Sequence, residues 1–208
     1  VFSSGAEARP RLTGVRLLTI GYVIYEGPSI LTGDPIVVIV TGIPGGNKSQ
    51  NPKTGPMAQA WVLRSDVRPM DAKRKNLDDA ICGDCEMRGR NGVDSACYVT
   101  VWFGPNNVYR AYKRGAYSDE PALYAGQELA TSSVRITAYG DPAAVNFEIW
   151  GYLLKSGAHH VGYTHQWRTC DARFKTICMA SVSTAQEAQD AIAMGWRTFR
   201  ARPQASEL

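Results

Sequence analysis

Apolar and polar positions along this chain fall into short blocks separated by Gly- and Pro-containing turns. Residues 15–25 are rich in β-branched and aromatic side chains and predict a strand. Gly27-Pro28 and Gly33-Asp34-Pro35 then punctuate the chain. The run from Ile36 to Val40 is continuously apolar, which predicts a strand buried on both faces with parallel neighbours on each side. Residues 58–64 predict another strand. Residues 69–76 predict a short helix, with Asp71 near its start and Lys73, Arg74 and Lys75 at its end, as the helix dipole favours. Residues 98–103 alternate like a strand. Residues 104–114 predict a helix with Pro105 near its first position and Gly115 as its stop.

The second half is more regular. Strands are predicted at 134–139, 161–165, 177–182 and 196–201. Helices are predicted at 142–155, capped by Asp141 and ended by Gly157, and from Ser183 or Thr184 to Met194, stopped by Gly195. Strands alternating with helices argue for parallel pairing through right-handed crossovers. The expected fold is α/β, a mostly parallel sheet or partial (β/α) barrel, with a Cys-rich metal-binding insertion at 81–98. Residues 1–14 read as an N-terminal arm, 15–203 as a single domain and 204–208 as a tail. The polar stretch 117–132 is the softest point for a division.

Composition narrows the function classes. A chain of 208 residues with 44% hydrophobic content can bury a full core. No apolar run reaches the roughly 18 residues a membrane span needs, so no membrane association is expected. Residues 1–6 lack a charged segment followed by an apolar one, so no signal peptide is expected and a cytoplasmic location follows. Five cysteines without a secretory signal argue against a disulfide scaffold and for thiolate ligands. The net charge of +4 permits contact with phosphate without demanding it. It leaves the oligomeric state open.

The chemistry starts at Ile81-Cys82-Gly83-Asp84-Cys85. A C-x-x-C turn points two sulfurs at one centre, and Cys97 returns a third after a Gly-containing loop. Three thiolates suit zinc, completed by a fourth ligand, or a 4Fe-4S cluster with one open iron. Cys178, Cys170 and His165 are the candidates for the fourth position, with Cys178 taken as the ligand. A redox dithiol and inert buried thiols are the other readings of the pair.

Ligands of parallel α/β sheets bind beyond the C-terminal ends of the strands. Those ends carry Asp141, then His165, Gln166 and Trp167, then Ser181. Asp141 and His165 are the candidate catalytic pair, as nucleophile or base and as acid/base. Trp167 and Ser181 are candidate substrate contacts. Asp141 before Pro142 equally suits a helix cap, and His165 a supporting role. His159-His160 falls on the opposite rim and reads as surface. The loop 45–55, rich in Gly and Asn, offers Lys48 and Lys53 to a phosphate, and Gln59 follows it as a further polar candidate. The segment 109–117 interleaves tyrosines with Arg110, Lys113 and Arg114, a pattern for nucleic-acid contact or for an amphipathic helix whose tyrosines cover core.

Several strings taken together resemble a bacteriophage-encoded protein family: Gly-Asn-Lys…Lys-Thr-Gly-Pro-Met (46–57), Ile-Cys-Gly-Asp-Cys (81–85), Ala-Cys-Tyr-Val (96–99), Tyr-Arg-Ala-Tyr-Lys-Arg-Gly (109–115), Tyr-Gly-Asp-Pro (139–142), Tyr-Thr-His-Gln-Trp-Arg (163–168) and Met-Ala-Ser-Val (179–182). The resemblance spans roughly residues 25–200. It implies phage origin and supports the cysteines, Asp141 and His165 as a site. A looser similarity is to guanine transglycosylases that insert 7-deazaguanines into tRNA or phage DNA, barrels with a zinc site and catalytic aspartates. That similarity implies a nucleic-acid partner, DNA first, a structural zinc and a base-exchange reaction. The chain is short for a full eight-unit barrel and lacks the transglycosylase zinc spacing. An iron–sulfur enzyme of radical type and a zinc-stabilised binding module are the alternatives.

Overall fold

The computed structural model of the protein describes residues 21–43, 55–89 and 95–200. Eight strands among them form one sheet: β1 (Gly21–Pro28), β2 (Pro35–Thr41), β3 (Ala58–Arg64), β4 (Ser118–Asp119), β5 (Ser133–Tyr139), β6 (His159–Thr164), β7 (Met179–Val182) and β8 (Thr198–Arg200). Their order is β4-β1-β2-β3-β5-β6-β7-β8. The apolar run at Ile36–Val40 is central and fully buried, as its composition requires. Its direction differs from the expectation: β2 runs antiparallel to both β1 and β3. A continuous apolar strand signals burial on both faces and says nothing of direction. Ser29–Asp34 is also too short for a parallel crossover, which takes a dozen residues or more. Every other pairing is parallel.

From β3 to β8 the sheet adds strands in one direction. Right-handed crossovers therefore carry α4 (Ala122–Glu128), α5 (Phe147–Leu154) and α6 (Ala185–Ala193) to the same face. There α4 and α5 pack so closely that a Cβ on Gly126 would lie 2.3 Å from the Leu153 carbonyl oxygen. Thr184, one of the two caps the sequence predicts, starts α6 and forms a capping box with Glu187. On the opposite face, α1 (Pro69–Arg74) and α3 (Gly104–Lys113) lie over β3. Gly104 sits against the Trp61 ring, and the Tyr112 hydroxyl donates to Glu26 of β1 at 2.6 Å. Within the described residues β4 and β8 are the two ends of the sheet.

Two elements differ from the sequence reading. The predicted helix 142–155 is split into a 3₁₀ turn, Pro142–Ala144, and α5. The Ala144 carbonyl that would continue the helix instead accepts from the Ile30 amide at 2.9 Å, and Val145 is extended. Residues 98–103 form no strand. Val101 is buried, whereas Tyr98, Trp102 and Phe103 are exposed, so the alternation reflects a segment lying on the surface. The stretch 117–132 holds β4, which pairs with β1, and α4, which packs on α5. The arm 1–14, the tail 204–208 and residues 15–20 of the first predicted strand lie outside the described residues.

Thr137 in β5 has φ of +60°. This left-handed conformation is strained for a β-branched residue. It coincides with the bulge in the β3–β5 register, where Gln59 faces Arg135 but Trp61 faces Tyr139. The bulge sets the direction in which Tyr139 and Asp141 leave the strand. Thr137→Gly should relieve the strain at the cost of backbone entropy, leaving stability unchanged or higher by up to about 1 kcal/mol. A loss larger than that in chemical denaturation would show that the threonine side chain outweighs the strain.

Candidate functional site

The ends of β5 and β6 meet at Asp141, which is 3% exposed. Its Oδ1 accepts the Ala143 amide at 3.0 Å and the Thr164 hydroxyl at 2.8 Å, and its Oδ2 accepts the His165 amide at 2.7 Å. Burial pushes the carboxyl above its ordinary range, and the three donors and the His165 side chain oppose the rise without cancelling it. The predicted pair Asp141 and His165 is therefore brought together, through the histidine backbone. The His165 ring is half-buried and takes part in no hydrogen bond among the described residues. The predicted cap is also present, but it caps only the 3₁₀ turn.

The cysteine segment is docked on this rim. Cys82 ends α2 (Asp79–Cys82). The Ile81 carbonyl accepts the Asp141 amide at 2.6 Å, and the Cys82 carbonyl accepts from the Gln166 side chain at 3.2 Å. Gly83, at φ +57°, lies flat on that amide, where a Cβ would come within 2.6 Å of Gln166. Gly140, at φ +82°, lets the strand end approach Val62 and Ile81 in the same way. A 3₁₀ turn, Glu86–Arg88, follows, and the Cys97 amide returns to the Met87 carbonyl at 2.8 Å.

Cys85 and Cys97 lie close enough to act on the Cys82 thiol, and Cys97 close enough to act on Cys85. Burial, with Asp78, Cys85 and Cys97 adding to it, raises the Cys82 thiol well above its usual value. Burial likewise pushes Cys85 up to about 12. Arg88 opposes both shifts. The Tyr139 hydroxyl is buried beside the same groups, and neither it nor Arg88 Nε has a hydrogen-bond partner among the described residues. Soft thiols suit zinc or an iron–sulfur cluster by donor type. The geometry fits less well, since among the described residues no group of three or more His, Cys, Asp or Glu side chains is gathered closely enough to hold an ion.

Cys178 does not join these thiols. A Cβ on Gly162 would stand 2.9 Å from its sulfur and 3.0 Å from the Ile136 Cβ, so Cys178 fills the fully buried core between β5 and β6. Burial pushes it far above the usual thiol range. Cys170 lies elsewhere, in the wall of a cleft of about 480 Å³ beyond the strand ends. Ala143, Gln166, Asn146, Phe147 and Phe174 also line this cleft.

The remaining candidates are dispersed. Lys48 and Lys53 lie outside the described residues. Gln59 is level with Arg135, toward the start of the parallel strands and away from the Asp141 rim. Arg110 is exposed on α3, while Tyr109 and Tyr112 are buried, so the tyrosines cover core as the amphipathic reading has it. Trp167 is 2% exposed, with the Arg168 guanidinium 3.9 Å from its ring centre, so a base stacking there would have to displace the arginine. Ser181 is buried inside β7 opposite Phe199; Ser183 is the serine at the strand end, where it hydrogen-bonds Glu86. His159 and His160 open β6 and are exposed, as expected.

Thr164 and Arg88 were not singled out by sequence, and Gln166 was placed at the strand end without a role. Thr164 and Gln166 flank His165 and were within reach of the strand-end rule. Arg88 carried no separate signal. Among the described residues no helix is long and apolar enough to cross a membrane. In comparisons with known proteins, the chain matches no family model, no curated protein and no solved structure.

Proposed function

We propose that this chain is a phage nucleic-acid-modifying enzyme whose reacting centre is the Asp141–His165 rim, and that it exchanges a guanine base for a 7-deazaguanine. One observation carries the reading: a buried carboxylate sits at the ends of two adjacent parallel strands, beside an imidazole with no hydrogen bond among the described residues. Supporting it, the sheet grows in one direction from β3 to β8, the order of a partial (β/α) barrel, and a cleft opens next to Ala143 and Gln166.

The chemistry proceeds in two displacements. Asp141 Oδ2, which accepts one hydrogen bond where Oδ1 accepts two, attacks C1′ of the target nucleotide. The C1′–N9 bond breaks, and guanine leaves with the bonding electrons and a proton from the His165 imidazolium. His165 then takes the N9 proton of the incoming 7-deazaguanine, whose N9 attacks C1′ and expels the carboxylate. The target base has to leave its stack to reach a carboxylate buried this deeply. Cys82, Cys85 and Cys97 would hold a zinc ion only if they drew closer together than they stand, and its contribution would be to fix the segment packed against Gln166 and Asp141. A 4Fe-4S cluster on the same thiols is the alternative. Metal analysis with an absorption spectrum separates them, with zinc in equimolar amount and no visible absorption expected.

The decisive experiment incubates the full chain with guanine-containing DNA and an isotope-labelled 7-deazaguanine, followed by mass spectrometry of the nucleosides. Label should enter the DNA. His165→Ala should lower the rate by about 10²-fold or more. Its melting curve should be unchanged, since no described hydrogen bond depends on the ring. No incorporation, or full activity in His165→Ala, would reject the reading. It would leave Asp141 as a bracket joining two strand ends, a role its three donors also suit.

A further inference from the structure

The face of the sheet opposite α4, α5 and α6 has a composition that the rim chemistry does not use. The strand register puts Arg135 of β5, Tyr163 and Val161 of β6, Met179 of β7 and Phe199 of β8 on it. The Tyr163 and Phe199 rings lie 4.5 Å apart between centroids. Tyr98, from the segment that follows Cys97, lies over Arg135, with the guanidinium 5.7 Å from its ring centre and hydrogen-bonded to its hydroxyl. Tyr98 is 74% exposed and Phe199 45%. These aromatics therefore present rings to solvent, where the hydrophobic effect alone would have buried them.

Charge favours one kind of occupant. The strands of this face, β5, β6, β7 and β8, contain no aspartate or glutamate, and the register puts Arg135 on it. Arg135 pairs with no carboxylate among the described residues; its described polar partner is the Tyr98 hydroxyl. A cation set among exposed rings and free of acids suits an anionic chain with planar groups that stack. An acidic peptide would satisfy the arginine and leave the rings unused. A duplex would present its phosphates but keep its bases stacked inside. A 2′-hydroxyl is well recognised by a carboxylate acceptor, and these strands supply none.

We propose that the face formed by β5 to β8 and Tyr98, which carries no helix among the described residues, binds single-stranded DNA, with bases stacked on Tyr98 and on the Tyr163–Phe199 pair and a phosphate on Arg135. This rests on the nucleic-acid reading above and deepens it: the substrate is held as an unpaired strand across the sheet, so the target base needs no extraction from a duplex.

Fluorescence anisotropy with a labelled oligodeoxythymidine, the matching oligouridine and a duplex of equal length tests it on the full chain. The deoxy single strand should bind most tightly, and binding should weaken as salt is raised. Tyr98→Ala and Phe199→Ala should each weaken it by roughly 5- to 100-fold, the range seen when a stacking aromatic is removed. Both side chains are exposed, so the fold should be retained. Tyr152→Ala, an exposed aromatic on α5, should bind as the unmodified chain does. Preference for the duplex or the ribo-oligomer, or equal binding by the Tyr98 and Phe199 variants, would overturn the proposal. So would loss of self-association in those variants, since the face would then be an interface between copies. The two proposals fail separately. Single-strand binding through these residues without base exchange sinks the reaction and keeps the surface; base exchange undiminished in Tyr98→Ala and Phe199→Ala sinks the surface and keeps the reaction.

Discussion

Arg88→Ala is expected to destabilise the protein by about 3–5 kcal/mol, the cost of leaving a buried charge without its partner. The Arg88 and Asp78 side chains are 4% and 6% exposed and form an ion pair. Arg88 also contacts Asp79 at 2.5 Å and donates to the Gly83 carbonyl at 2.5 Å, tying the C-x-x-C turn to the helix before it. Alanine would leave Asp78 charged in a site with little water and would release the turn. Replacing both partners, Arg88→Met with Asp78→Leu, should recover much of the loss, because no isolated charge remains. Urea denaturation of the two single variants and the double variant measures this directly. A single-variant cost below about 1 kcal/mol would mean that water reaches the pair and that the cysteine segment is held by something else.

The contrast between Arg88 and Asp141 explains which parts of the site were legible in sequence. Asp141 announced itself through position: it follows a strand and precedes a proline, so both a cap and a rim ligand were readable. Arg88 sits in an irregular segment with no periodicity, and its burial depends on Asp78 and Asp79 folding back over it. No spacing rule encodes that. The longer strands were legible because β-branched runs bounded by Gly and Pro need little tertiary context, whereas the two-residue β4 was not. The direction of β2 was not, because apolar content reports burial and only the length of the connection limits direction. The assignment of Cys178 to the other thiols failed for a related reason. Sequence counts sulfurs, but the face of the sheet each one occupies depends on register, and Gly162 opens a space that Cys178 fills on the core side. The aromatic face was invisible for the same reason, since Arg135, Tyr163 and Phe199 come together only when three separate pairings are in register.

Removal of the Asp141 carboxylate should be comparably severe. Asp141→Ala leaves the Ala143 amide, the Thr164 hydroxyl and the His165 amide without their acceptor. Each buried unsatisfied donor costs about 1–3 kcal/mol, so a total of about 3 kcal/mol or more is expected even with some water entry. The pH dependence gives an independent check through Asp141→Asn. Burial holds the carboxyl of the folded protein above its ordinary value. The folded state therefore binds the proton more readily than the unfolded chain does. The stability from this group is fully present below the unfolded pKa, near 4, and is lost as pH rises through the folded value. Asparagine has no such titration, so the melting-temperature difference between the unmodified protein and Asp141→Asn should shift against the unmodified protein as pH rises from acid to neutral. Any constant penalty from the misfit of the amide with three donors drops out of that slope. A flat difference, or one of opposite sign, would mean that the three hydrogen bonds outweigh burial and that Asp141 stays ionised as a strand-end bracket throughout the acid range.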